Sequence, residues 1–129
     1  MADLQGLNIF IVEDDADTRE LVKVIIEMHG GKATAPASVQ EALTVYSPGQ
    51  FHVIIADIGM PDYNGYTLIG RIRAYDKTTP AIALTAYATA IDRDTVLSAG
   101  FQFHMPKPFD ADELVKVIRD LALNAAKST

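Results

Sequence analysis

The sequence predicts an α/β domain built from five strand–helix units, with helices covering a parallel sheet. Three observations carry this reading. Short apolar runs recur along the chain, and they are continuous rather than alternating, as strands buried on both faces are. Segments with apolar residues at helical spacing lie between the runs. Regular strand–helix alternation implies right-handed crossovers and an open three-layer architecture.

The expected strands are Leu7–Val12, interrupted only by Asn8, then Lys32–Ala35, Val53–Ala56, Ala81–Leu84 and Phe101–Met105. Lys32–Ala35 is the poorest in apolar residues and is placed by its position between two helices. The first helix, Thr18–Met28, gathers Leu21, Val24, Ile25 and Met28 on one face and stops at Gly30. Ser38 with Glu41 forms a capping-box pattern that opens a second helix through Tyr46, ended by Pro48 and Gly49. Tyr66–Tyr75 carries Leu68, Ile69 and Ile72 at helical spacing, and Thr89–Ala99 stops at Gly100. Asp110 with Glu113 is another cap pair, followed by the stripe Leu114, Val117, Ile118 and Leu121. Residues 1–6 and 124–129 are expected to be frayed ends of one domain spanning 1–129.

With 129 residues, 49% hydrophobic and 22% charged, the chain fits one folded domain with a real core. It has no cysteine, which excludes disulfides, thiolate metal sites and cysteine nucleophiles. A net charge of −6 repels a phosphate backbone, so no direct nucleic-acid contact is expected. No apolar run approaches the roughly 20 residues of a membrane span, and Met1–Gly6 does not read as a leader. The expectation is a soluble cytoplasmic protein.

Ligands of such sheets bind outside the carboxyl ends of the strands. Those ends carry Glu13-Asp14-Asp15 after the first strand, Asp57 after the third, Thr85-Ala86 after the fourth and Pro106-Lys107-Pro108 after the fifth. Two unit charges about 4 Å apart cost roughly 4 kcal/mol at an effective dielectric of 20, so clustered carboxylates invite a divalent cation. Oxygen-only ligands favour Mg²⁺ or Mn²⁺ over zinc. Cluster, metal and lysine together suit phosphoryl transfer to a carboxylate nucleophile.

Ile9-Phe10-Ile11-Val12-Glu13-Asp14-Asp15, Ala56-Asp57-Ile58-Gly59-Met60-Pro61 with Asn64-Gly65, Leu84-Thr85-Ala86 and Lys107-Pro108-Phe109 resemble, in order and spacing, the signature of the response-regulator receiver domain of two-component phosphorelays. The resemblance covers nearly the whole chain. It implies a doubly wound, flavodoxin-like (βα)5 sheet of order 2-1-3-4-5. It implies Asp57 as metal ligand and phosphoacceptor, Asp14 as a direct metal ligand, Glu13 acting through water, and the Gly59 carbonyl as a third protein ligand. Thr85 would donate its hydroxyl to the phosphoryl group, and Lys107 would pair with the carboxylate and then with a phosphoryl oxygen. The Lys107–Pro108 peptide would be cis. His104 occupies a switch position that is more often Tyr or Phe. The donor would be a histidine kinase or a histidine phosphotransfer protein, and the output would leave through the surface of the fourth helix, fifth strand and fifth helix. The module would be a monomer or weak dimer that catalyses only its own phosphorylation and dephosphorylation.

Each residue also has a plainer reading. Asp57 alone could be a turn residue, Glu13-Asp14-Asp15 a solvated helix start, Thr85 a strand end and Lys107 a surface lysine. Asp15 fits a helix cap, His29 and His52 surface or packing positions, and Tyr46, Tyr66, Tyr75 and Phe101 the core or its margin. Competing functions also have marks in the sequence. An aspartate-nucleophile phosphohydrolase would want a second Asp where Gly59 stands. A flavin carrier would want a phosphate loop where Glu13-Asp14-Asp15 stands, and a receiver-like binding module would have lost the acidic set. No effector segment is expected after the last helix, so the chain would be either a stand-alone receiver signalling by protein contact or a receiver cut from a hybrid sensor kinase. The run Ala83–Ala88 with Ala99-Gly100-Phe101 and His104 looks like receivers of hybrid histidine kinases.

Overall fold

Five apolar runs form one five-stranded parallel sheet of order β2-β1-β3-β4-β5 in the computed structural model, which describes residues 3–59, 65–85 and 93–127. The strands are β1 (Asn8–Val12), β2 (Lys32–Thr34), β3 (Val53–Asp57), β4 (Ala81–Thr85) and β5 (Phe103–Pro106). They alternate with α1 (Ala16–Met28), α2 (Val39–Val45), α3 (Gly65–Arg73), α4 (Arg93–Ala99) and α5 (Ala111–Lys127). The doubly wound flavodoxin-like fold is as expected. Met60, Pro61 and Asn64, the run Ala86–Ala88 and the helix start at Thr89 lie outside the described residues.

The continuous apolar character of the strands follows from the two layers they serve. Successive side chains of a strand point to opposite faces. Phe10, Val12, Ile54, Ala56, Ala81 and Ala83 therefore pack on one side with Ala42, Leu68, Ile69, Ile72 and Val96 from α2, α3 and α4. Ile9, Ile11, Val53, Ile55, Ile82 and Leu84 pack on the other with Val22, Ile25, Ile26, Leu114 and Ile118 from α1 and α5. Truncating a buried isoleucine of this kind to alanine costs about 2–5 kcal/mol.

Several local expectations need correction. The buried stripe of α1 is Val22, Ile25 and Ile26, whereas Leu21 and Met28 are 53% and 68% exposed. The segment offers two overlapping apolar stripes, and only one can face the sheet. Phe101 is buried under α4, next to the Gly100 turn, and β5 begins two residues later. Tyr75 lies beyond the end of α3 and is half exposed. Leu4 is completely buried against α1, and its N–H donates to the His29 carbonyl at 2.9 Å. α5 continues to Lys127 because Ala and Lys after Asn124 sustain a helix. The helix starts behave as read: Asp15 caps α1 by accepting from the Thr18 N–H, and Ser38 caps α2 by accepting from the Glu41 N–H. Among the described residues no helix is long and apolar enough to cross a membrane.

The α3–β4 connection is held by a buried carboxylate at the sheet edge where the strands begin. Asp76 accepts from the Tyr46 hydroxyl, from the Thr79 hydroxyl at 2.8 Å, and from the N–H groups of Thr78 and Thr79, both at 3.1 Å. Burial alone would raise its pKa. The donors outweigh burial and hold it down to about 2. A carboxyl depressed in the fold stabilises it above the unfolded pKa and loses that contribution as pH falls through the folded one. Asp76→Asn should therefore cost on the order of 2 kcal/mol at pH 7. The deficit should shrink as pH drops from about 4 toward about 2. Urea unfolding across that range tests this, and a deficit independent of pH would contradict it.

Candidate functional site

The strand register brings the chemistry together. Val12 pairs with Ala56, Asp57 with Leu84, and Thr85 with Pro106, so the residues that end β1, β3, β4 and β5 share one edge of the sheet. Glu13, in the turn after Val12, consequently stands beside Asp57. Lys107 follows Pro106, and its N–H donates to the Thr85 carbonyl at 2.7 Å.

Lys107 is the centre of the site. Its Nζ donates to Glu13 Oε1 at 2.7 Å and to Asp57 Oδ2 at 3.2 Å. The other Asp57 oxygen, Oδ1, accepts the Gly59 N–H at 2.8 Å. That fixes the carboxylate plane and leaves Oδ2 toward the ammonium. The Glu13 side chain is completely buried, and its second oxygen accepts the Asp15 N–H at 3.2 Å. The Glu13 carbonyl accepts from an Arg19 guanidinium nitrogen at 2.9 Å. Asp14 is exposed at the rim. Thr85 is fully buried at the end of β4, and the Lys107–Pro108 peptide is cis.

Burial raises the pKa of Glu13 to about 7, assisted by the neighbouring Asp57 carboxylate and opposed by Lys107. For Lys107 burial acts downward, but the hydrogen bond to Glu13 and the charges of Glu13 and Asp57 prevail, and its pKa is raised. Carboxylate oxygens of Glu13, Asp14 and Asp57 lie within 4.8 Å of one another. Three carboxylates facing one ammonium leave negative charge in excess. The oxygen-only donor set fits a hard divalent cation such as Mg²⁺.

The structure thus gathers Glu13, Asp14, Asp57, Lys107 and Thr85 at one edge, with Gly59 contributing its N–H. His104 is set apart. It pairs with Ala83, two positions below the Thr85–Pro106 pair, and its buried Nε2 has no hydrogen-bond partner among the described residues. Sequence reasoning missed Arg19, which carries no motif and reaches back six residues. It also missed the packing role of Gly65. A Cβ there would stand 2.6 Å from both the Asp57 carbonyl oxygen and the Ile58 Cα, so only glycine lets α3 start directly against the residue that bears the carboxylate.

Comparison with known proteins gives a consistent picture. A family model described as the response regulator receiver domain matches residues 9–119. An uncharacterized 14.6 kDa protein of Leptolyngbya boryana is 38% identical over 95% of this chain and 95% of its own length. The transcriptional regulatory protein TrcR of Mycobacterium tuberculosis is 32% identical over 93% of this chain, which spans only 47% of that relative. Among solved structures, the Francisella response regulator 1452 receiver domain superposes with a TM-score of 0.84 at 26% identity, covering 92% of this chain and 98% of that one. The receiver domain of the sensor histidine kinase PA1611 from Pseudomonas aeruginosa superposes with a TM-score of 0.81 at 28% identity, covering 91% and 98%. That structure holds a magnesium ion coordinated in its active-site cleft.

The raised pKa of Glu13 has a thermodynamic consequence. A carboxyl raised in the fold contributes stability that is whole below its unfolded pKa and is lost as pH rises through the folded value. In chelator-treated protein this loss should fall between the ordinary 4.5 and about 7. Glu13→Gln should remove that part of the pH dependence and gain on wild type toward pH 8. Thermal melts of both proteins across this range decide it, and parallel curves would show that Glu13 is not the source.

Proposed function

The chain belongs to the response-regulator receiver family, and from that premise we propose that Asp57 accepts a phosphoryl group in a metal-dependent transfer. The observation that carries this reading is the seating of one carboxylate. Asp57 is nearly buried, tied through Oδ1 to the Gly59 N–H and directed through Oδ2 at the Lys107 ammonium, with Glu13 and Asp14 beside it.

The donor is a phosphorylated histidine of a kinase or phosphotransfer protein. An Asp57 carboxylate oxygen attacks phosphorus, and the new O–P bond forms as the N–P bond breaks. The electron pair leaves on the imidazole nitrogen, which takes a proton from solvent. Lys107 already bridges Glu13 and Asp57, so it is placed to exchange a carboxylate for a phosphoryl oxygen without moving its backbone. A cation held by Asp14, Asp57 and the Gly59 carbonyl, with Glu13 acting through water, would supply charge neutralisation in the transfer. The only chemistry of the module is then gain and hydrolysis of its own acyl phosphate.

The donor has a surface to use. Leu21, Val24 and Met28 form an exposed apolar strip along α1. Thr18 and Leu21 line a shallow cavity with Lys107, Pro108 and Phe109 beside the site. On the output side, the Thr85 hydroxyl follows the new phosphoryl oxygens and His104 follows Thr85, altering the face formed by α4, β5 and α5. The module acts in the cytoplasm by protein contact. It is either a stand-alone receiver or part of a larger regulator or hybrid kinase.

With acetyl phosphate and Mg²⁺, intact-protein mass spectrometry should show a single phosphoryl adduct. It should be absent in Asp57→Asn and absent when the metal is chelated. An adduct that survives the Asn substitution would overturn the assignment of Asp57.

A further inference from the structure

The turn after β1 is held by a residue that the phosphoryl chemistry does not use. Arg19 lies half-buried near the start of α1, and one terminal guanidinium nitrogen reaches back to donate to the Glu13 carbonyl at 2.9 Å. That carbonyl belongs to the peptide joining Glu13 to Asp14. A peptide unit is planar, so a hold on its oxygen limits how the whole unit can turn. The next peptide joins Asp14 to Asp15, and its N–H donates to Glu13 Oε2 at 3.2 Å. Both peptide planes that meet at the Asp14 Cα are therefore held, and with them the direction in which the Asp14 side chain leaves the backbone.

Asp14 needs that support. It is exposed, and among the described residues its carboxylate accepts no hydrogen bond, so the backbone alone aims it. Yet its carboxylate shares one position with those of Glu13 and Asp57, the three lying within 4.8 Å of one another. Like charges that close repel, and an exposed carboxylate on a loose turn would swing out into water. The two holds on the turn differ in kind. The Asp15 N–H is bound by a member of the acidic set itself, and that carboxylate is shared with Lys107. Arg19 belongs to a helix packed on the sheet through Val22, Ile25 and Ile26, so its hold does not depend on how the charges of the site are arranged. A guanidinium donating to a neutral carbonyl makes a charge-assisted bond, stronger than a neutral pair.

We infer that Arg19 is a positioning residue for the divalent-cation site, aiming the Asp14 carboxylate at the place it shares with Glu13 and Asp57. It does so through the Glu13 carbonyl, without touching the cation or the phosphoryl group. The hydrogen bond is a property of the fold. Its effect on the cation rests on reading the carboxylate cluster as the metal site of the phosphoryl transfer. A ligand that is already aimed loses less freedom when the ion arrives, so the benefit appears as affinity for the ion. Outer partners that orient a metal ligand are typically worth about tenfold or more in metal affinity.

Titration with Mg²⁺ followed by amide NMR reads the ion directly, with no phosphoryl donor present. In wild type the shifts at 13–15 and 57–59 should saturate. Arg19→Met keeps the aliphatic stem but not the donor, and it should need about tenfold more Mg²⁺ for half-saturation. Arg19→Gln, too short to reach the carbonyl, should do the same and serves if the Met variant fails to fold. Lys23→Met removes the same charge one turn further along α1 and should bind as wild type does. An unchanged half-saturation in the Arg19 variants, or an equal loss in Lys23→Met, would overturn the positioning role. Uptake from acetyl phosphate separates aim from general damage. In the Arg19 variants it should return to the wild-type rate once Mg²⁺ saturates, because Asp57, Thr85 and Lys107 are untouched. A rate that stays low at saturation would overturn the inference, since Arg19 would then act on more than the ion. If wild type shows no shifts with Mg²⁺, the metal-site reading fails and this inference fails with it. If Mg²⁺ binds but acetyl phosphate leaves no adduct on wild type, the phosphoryl-acceptor reading alone falls, and the titration still decides the role of Arg19.

Discussion

β3 lies between β1 and β4, is buried on both faces along its whole length, and ends in a carboxylate. That arrangement constrains everything around it. A strand covered on both sides cannot slip by a residue without turning its entire apolar set, so Asp57 is fixed to the register of four apolar residues. Burying a charge is costly unless it is paired and hydrogen-bonded. The Gly59 N–H and the Lys107 ammonium supply those partners, the first from the turn that follows β3 itself and the second from the loop after β5, whose Pro106 pairs with Thr85 at the same edge.

The pairing is incomplete by charge, and this is where stability and function diverge. One ammonium serves two buried carboxylates, while Asp14 adds a third negative group at the rim. A domain selected only for stability would replace Glu13 with an apolar residue, since buried ion pairs seldom repay their desolvation. Keeping the excess negative charge makes the site attractive to a cation and lets the ammonium change partners. Neither would follow from a neutral, fully satisfied cluster.

The sheet and the gathering of the candidate site residues at one edge were legible in the sequence for a shared reason: both are written in local runs. Continuous apolar stretches mark the doubly covered strands, and the residue just past each stretch falls at the functional edge. What stayed illegible depends on choices between equivalent local patterns or on contacts distant in sequence. The segment around Leu21, Val22, Val24, Ile25 and Ile26 carries two apolar stripes, and nothing local tells which faces the core. Phe101 resembles a strand residue because burial beneath a helix and burial within a sheet select the same side chain. Asn64-Gly65 was noticed as part of a motif, but the 2.6 Å approach that demands glycine exists only once α3 packs on the β3 end. Arg73 and Gly100, twenty-seven residues apart, show no pattern in one dimension.

The two edges of the sheet are organised on opposite principles. At the carboxyl edge, negative charge is in excess, and Lys107 bonds two competing acceptors. At the other edge, Asp76 is met by four donors and Arg73 by three acceptors, so polar groups there are matched and little is left to rearrange. At the matched edge Arg73 ties the end of α3 to the turn after α4. The excess charge beside Asp57 therefore sits at the edge of the sheet where one ammonium is shared between competing carboxylates, and the matched network lies at the other.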